Sequence, residues 1–260
     1  MTELTDMSQR TAIHCSYHKC LTVFFAKVFS SIYNQQQPTS YRHFNSRLDQ
    51  FYTHYHNYRV ASVNNHALDF GRLAADARIS HLIRGPRDLI ISSYFYHKRG
   101  AEAWSRIIDP QESDWQATNG HLPPNFLPDG HSFATYLQSV PLEEGLIAEM
   151  IFRRYHFESM RQWATDDPRI LRLRYENVLG HERQAVAKLL THFGASAREI
   201  AFGTLAADRF SAERRVNKTT HIRNPTAGQW KTYFTPQLET YFNDRYADLI
   251  ECYGYSESAI

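Results

Sequence analysis

The sequence predicts an α/β fold, a central parallel sheet flanked by helices. Three observations carry this. The chain opens with a strand, a tight polar corner and a buried helix, the unit from which parallel sheets are assembled. Short β-branched runs then alternate with runs of helical periodicity. A length of 260 residues suits one large domain, spanning 1–260.

The first strand is TAIHCS (11–16), and Tyr17-His18-Lys19 is the corner that follows it. LTVFFAKVFSSIYN (21–34) is apolar at near-helical spacing and predicts a buried helix. The polar stretch QQQPTSYRHFN (35–45) is expected to be a connection, while YRVASVN (58–64) and RISHLIR (78–84) read as the next two strands. Pro86-Arg87-Asp88 marks a helix start, because Pro is tolerated at the first helical position and Asp suits the first turn. LIISSYFYHKR (89–99) continues that helix. Four Pro and two Gly interrupt the stretch 109–131, which has little periodicity and is expected to be a lid or substrate loop. Leu146, Met150, Ile151, Tyr155 and Met160 predict one long amphipathic helix over about 142–164. RILRLRYE (169–176) alternates as a strand does, and helices follow at 181–193, 196–208 and 236–252, the last opening after Thr235-Pro236.

Composition narrows the function classes. Lys plus Arg number 29 against 27 Asp plus Glu, a formal charge of +2, without the basic excess of a dedicated nucleic-acid binder. Three cysteines (Cys15, Cys20, Cys252) with no C-x-x-C pair indicate neither a disulfide framework nor a zinc site. MTELTDMSQR (1–10) lacks the apolar core of a signal peptide, and no apolar run approaches the about 20 residues that span a bilayer. A cytoplasmic location is therefore expected.

A lysine in a strand-to-helix corner is a recipe for holding a phosphate, because backbone N–H groups and the positive helix end converge there. The G-x-x-x-x-G-K-[ST] pattern is absent around Lys19, however, and Cys20 follows it. Taken alone, Lys19 is either a phosphate ligand or a solvated turn residue.

Further segments add a resemblance. SYHKCLTVFF (16–25) resembles the P-K-S-G-T-T-W loop of sulfotransferases that use 3′-phosphoadenosine 5′-phosphosulfate (PAPS). IRGPRDLIISSYFYH (83–97) resembles that family's R-N-P-R-D-x-x-x-S-x-Y-x-H segment, with Arg84 and Ser92 in place. LRLRYENVL (171–179) is similar to its strand ending in Y-E-D, and RNPTAGQWKTYFT (223–235) to its R-K-G-x-x-G-D-W-K-x-x-F-T. The departures are Leu21 for the loop glycine, Val23 for its second threonine, His18 for its proline, and Asn224-Pro225 for Lys-Gly. A left-handed conformation at Leu21 is strained, so a different loop path is expected there. Pro225 has no N–H for a phosphate.

The resemblance implies a P-loop-NTPase-like sulfotransferase fold, PAPS as donor, 3′-phosphoadenosine 5′-phosphate (PAP) as product, no metal, and a hydroxyl acceptor that is a small molecule, lipid or carbohydrate. Lys19 would contact the 5′-phosphosulfate with Thr22 beside it, Thr22 serving equally as a helix N-cap. Arg84 and Ser92 would bind the 3′-phosphate, an Arg84–Asp88 ion pair being the alternative. Tyr175 would lie near the adenosine, Phe210 against the adenine, and Arg223 on the 3′-phosphate. The proton acceptor is expected to be His66 in SVNNHALDF (62–70), with His54, His56 and Asp69 as alternatives. A P-loop-type phosphotransferase or a non-catalytic nucleotide-binding protein are the competing functions. Lys231 and Thr235 fit a K-x-x-x-T-V-x-x-x-E pairing motif of some relatives, but Pro236 replaces its valine, and no dimer through it is expected.

Overall fold

The structure, a computed structural model, describes residues 11–35, 40–163, 166–215 and 224–255. Its strands are β1 (Ala12–Ser16), β2 (Tyr41–His43), β3 (Val60–Asn64), β4 (Arg78–Ile83) and β5 (Ile170–Arg174), all parallel, in the order β2-β3-β1-β4-β5. Ala12 lies opposite Val60 on one side of β1 and Arg78 on the other. Tyr41 faces Val60, and Ile79 faces Ile170. Every residue of β1 is buried, as a central parallel strand with both faces covered must be. His14 Nδ1 lies 2.8 Å from Ser80 Oγ, and Ser16 Oγ 3.0 Å from Thr22 Oγ1.

The helices are α1 (Thr22–Tyr33), α2 (Leu48–His54), α3 (Pro86–Lys98), α4 (Glu112–Gln116), α5 (Phe133–Ser139), α6 (Leu142–Phe152), α7 (Arg154–Arg161), α8 (Tyr175–Val178), α9 (Glu182–His192), α10 (Ala197–Phe210), α11 (Ala212–Arg215), α12 (Trp230–Tyr233) and α13 (Pro236–Cys252). Phe24, Phe25, Val28 and Phe29 of α1 are buried, confirming the stripe seen in the sequence. No described helix is long and apolar enough to cross a membrane.

Two elements differ from expectation. The polar stretch 35–45 ends in the edge strand β2, three residues long and too short to show alternation. The helix expected over 142–164 is two helices that meet at Arg153 (φ −89°, ψ 6°). Of the expected stripe, Leu146, Met150 and Met160 are buried, whereas Ile151 is half-buried and Tyr155 exposed; Arg153 is wholly buried and its guanidinium turns inward to polar partners. The proline-rich stretch 109–131 is anchored rather than extended into solvent, with Trp115 and Leu122 buried. Gly120 lies so close to Phe152 that a Cβ there would meet its ring at 2.2 Å.

The strand order fixes where a ligand can sit. The connection after β1 runs to one side of the sheet, toward β2, and that after the neighbouring β4 to the other, toward β5, which opens a crevice at their C-terminal ends. The segments after β1, β3, β4 and β5 all arrive at that end.

Candidate active site

The segment after β1 turns sharply into α1. Lys19 (φ 69°) and Leu21 (φ 53°) both take the left-handed conformation. Leu21 thus keeps the backbone shape open to glycine, at a strain of order 1–2 kcal/mol, instead of following a different path. Thr22 begins α1; its Oγ1 donates to the Tyr17 carbonyl at 3.2 Å and lies 3.0 Å from Ser16 Oγ. Leu21, not Thr22, is the N-cap. Lys19 makes no ion pair among the described residues; its ammonium sits 3.7 Å over the Tyr96 ring. Burial, with Arg84 and Arg99 nearby, lowers its pKa to about 7.

Arg84 follows β4 and is only 2% exposed. Nη1 donates to the Lys19 carbonyl at 3.0 Å, and the guanidinium carbon lies 4.1 Å from the centre of the Tyr175 ring. Nε and Nη2 are buried with no partner. Asp88 does not pair with Arg84. Its two carboxylate oxygens accept the backbone N–H groups of Gly228 and Trp230, fastening the C-terminal segment to the start of α3. Tyr175 adds a second tether, its hydroxyl donating to the Pro225 carbonyl at 2.8 Å.

Behind Lys19 runs a closed ring of five side chains. Arg153 Nη2 donates to His18 Nδ1 at 2.8 Å, and His18 Nε2 lies 3.2 Å from Glu102 Oε1. Glu102 Oε2 is 3.5 Å from His97 Nε2, and His97 Nδ1 is 2.8 Å from Glu149 Oε2. Glu149 Oε1 accepts from Arg153 Nε at 2.8 Å, which closes the ring. A guanidinium only donates, so His18 Nδ1 must accept and its Nε2 must carry the proton toward Glu102. The same logic fixes His156, whose Nδ1 accepts from Arg153 Nη1 and whose Nε2 donates to the Thr118 carbonyl. Burial works against His97 holding a proton, but Glu149 and Glu102 outweigh it and raise its pKa. Burial also opposes ionisation of Glu102, yet His18 and His97 hold its carboxyl well below the usual carboxylate range. His18, His97 and Glu102 have ligand atoms within 4.8 Å of one another, a spacing that would suit a cation. Because Arg153 occupies the His18 Nδ1 lone pair, His18 Nε2 has no lone pair to give a metal, and the cluster is a hydrogen-bonding network.

A cavity of about 660 Å³ opens at this crevice. Lys19, Thr22, Arg84, Ser92, Tyr175 and Phe210 line it, with Asn224 and Pro225 on its wall, so the structure gathers most of the expected residues. Ser92 Oγ makes no hydrogen bond to any described residue. Arg223 lies outside the described residues. His66 does not join the others. Its Nε2 donates to the Ser46 carbonyl at 2.8 Å, burial lowers its pKa, and it lines neither this cavity nor a smaller one of about 190 Å³. His54, His56 and Asp69 are likewise absent from both linings.

The physical reason is Asn65, which takes a left-handed turn (φ 65°) after β3 and carries His66 off the site. Asn65 itself is the residue that reaches the loop. Its Oδ1 accepts the His18 backbone N–H at 2.7 Å, and its Nδ2 donates to Ser46 Oγ and the Thr118 carbonyl. An asparagine just past a strand was a visible sign, since Asn tolerates that conformation best after glycine. Glu102, with His97, Glu149 and Arg153 of the same ring, was the other omission.

Comparisons with known proteins bear on the family and the fold. A family model described as a sulfotransferase domain matches residues 9–254. A mouse sulfotransferase crystallised with PAP is similar in structure, with a TM-score of 0.54 and 17% identity over 96% of this chain and 90% of that one. Retinol dehydratase, crystallised with androsterone and inactive cofactor PAP, gives a TM-score of 0.48 at 12% identity, covering 94% of this chain and 82% of that one. No curated protein matches the sequence.

Proposed function

The chain belongs to the sulfotransferase domain family, and from that premise we propose that it moves a sulfuryl group from PAPS to a hydroxyl of a small-molecule or glycan acceptor. The observation that carries the donor is Arg84: two orphaned, buried guanidinium donors on the wall of the cavity that Lys19 and Ser92 also line. A buried cation with unpaired donors is costly until an anion arrives, and a 3′-phosphate offers oxygens in the fork geometry arginine prefers. Ser92 Oγ supplies a further hydroxyl to the same anion. Stacking on Tyr175 holds the guanidinium in place.

In the transfer, the acceptor oxygen forms a bond to sulfur while the sulfur–oxygen bond to the 5′-phosphate breaks. The leaving phosphate oxygen keeps the electron pair, and the Lys19 ammonium neutralises that growing charge. Thr22 and the backbone of the turn flank the same group. The acceptor approaches from the smaller cavity, which shares His18, Asn45, Asn64 and Glu102 with the larger one. Of its lining, Ala117 and Phe152 are the apolar members, so a narrow polar hydroxylated group fits there better than a broad apolar one.

Incubation with sulfur-labelled PAPS and a library of alcohols, phenols and sugars tests the proposal. Label should move to at least one acceptor, and PAP should raise the melting temperature. Stabilisation by ATP and not by PAP would mark a phosphotransferase instead. PAP binding without transfer to any acceptor or to water would mark a non-catalytic nucleotide-binding protein.

A further inference from the structure

Resting on the sulfuryl-transfer reading, we propose that Glu102 takes the proton from the acceptor hydroxyl. Among the described residues it is the one carboxylate that lines either cavity, and it lines both. It is bonded to His18, the residue directly before Lys19, so it stands beside the group that faces the leaving phosphate. Its side chain is 26% exposed, enough to meet an acceptor, while its back is held by other donors. Trp104 Nε1 donates to Oε2 at 2.6 Å, where His97 Nε2 also lies 3.5 Å away, and His18 Nε2 lies 3.2 Å from Oε1, so a lone pair of Oε1 is the one left for the acceptor.

The histidines around it are committed. Arg153 leaves His18 and His156 with protonated Nε2 atoms already donated to Glu102 and to the Thr118 carbonyl. His97 is fully buried between two carboxylates. His43 has its Nδ1 2.8 Å from Ser62 Oγ and lines the larger cavity only. It sits on β2, two places from β1 in the sheet, whereas Glu102 touches the residue adjoining Lys19.

The step balances simply. The acceptor oxygen bonds to sulfur, the S–O bond to PAP breaks with its electrons going to the phosphate, and the hydroxyl proton passes to a Glu102 carboxylate oxygen. A strongly stabilised carboxylate is a weak base. It suffices here because the hydroxyl becomes acidic once its oxygen has begun to bond to sulfur, so the proton moves late.

The test compares wild type with Glu102→Gln, Glu102→Ala and His43→Gln, using labelled PAPS with phenol, 4-nitrophenol and water as probe acceptors. Glu102→Gln should cut kcat per folded molecule with phenol by about 10²–10⁴-fold, the range of general-base contributions, with PAP affinity retained. The loss should shrink with the more acidic 4-nitrophenol, which needs less help from a base. Added formate should restore turnover in Glu102→Ala, a response that a merely structural carboxylate would not give. Undiminished turnover in Glu102→Gln, or the same loss appearing in His43→Gln instead, overturns the assignment. Failure of the wild-type protein to bind PAP by calorimetry overturns the underlying sulfuryl-transfer reading, which that readout addresses separately.

Discussion

Arg84, on the wall of the crevice, and Arg153, behind it, are both buried cations, and they are treated oppositely. Arg153 is wholly enclosed and its guanidinium is taken up by Glu149, Ser93, His156 and His18. Arg84 donates one nitrogen to the Lys19 carbonyl and leaves two with no partner. On the proposed function, the difference separates scaffold from binding site. A buried charge whose donors are taken up by its neighbours serves the structure, while stranded donors on a cavity wall, as at Arg84, are what the proposed anion would complete.

The largest effect should come from breaking the satisfied member. Arg153→Met removes one partner of a buried ion pair and frees His18 and His156 to change tautomer. Chemical denaturation should show a loss of about 3–5 kcal/mol. A loss below about 1 kcal/mol would mean that the ring is not a structural unit.

Next comes Lys19→Ala. Removing one preorganised charge from the leaving group costs about 2.7–4 kcal/mol in the barrier, so turnover should fall about 10²–10³-fold. Thermal stability should hold, because Lys19 rests on Tyr96 without an ion pair among the described residues. Near-normal turnover in a folded variant would remove Lys19 from the chemistry.

Lys19 also gives the comparison a pH signature. Burial lowers its pKa to about 7, so the ammonium form is depleted as pH rises above 7. A bound phosphate raises that pKa again. PAP affinity should therefore weaken between about pH 7 and 9, and binding there should take up a proton. Calorimetry in buffers of different ionisation enthalpy measures that uptake. Affinity independent of pH across this range would show that Lys19 does not meet the anion.

The smallest effect is expected at His66. Its ring N–H holds the Ser46 carbonyl, so His66→Ala should cost about 1 kcal/mol of stability and leave turnover per folded molecule unchanged. A fall in kcat with stability intact would return it to the chemistry.

What was legible in the sequence was what local spacing encodes. Strand, corner and helix placed Lys19, and Arg84 and Ser92 lie on one strand-helix unit, eight residues apart in the chain. Tyr175 was located by the end of β5, although its use as a ring under Arg84 and a tether for Pro225 was not foreseeable. His66 misled because chain proximity says nothing of direction, and one left-handed residue, Asn65, turned it away. The ring of Glu102 was invisible for another reason. His18 and Arg153 are 135 positions apart and His97 and Glu149 are 52 apart, so no window of sequence contains it. The break at Arg153 was hidden for the same reason, since its inward partners belong to other elements.

Titration of PAP and of adenosine 5′-phosphate into wild type and Arg84→Met, followed by calorimetry, tests the central claim most directly. Wild type should prefer PAP, and Arg84→Met should lose about 1.5–3 kcal/mol of PAP affinity, or roughly ten- to a hundred-fold. Binding of adenosine 5′-phosphate should hardly change, and the unliganded variant should be no less stable than wild type, because its stranded charge is gone. Equal losses for both nucleotides, or a destabilised variant with its PAP preference intact, would contradict the account.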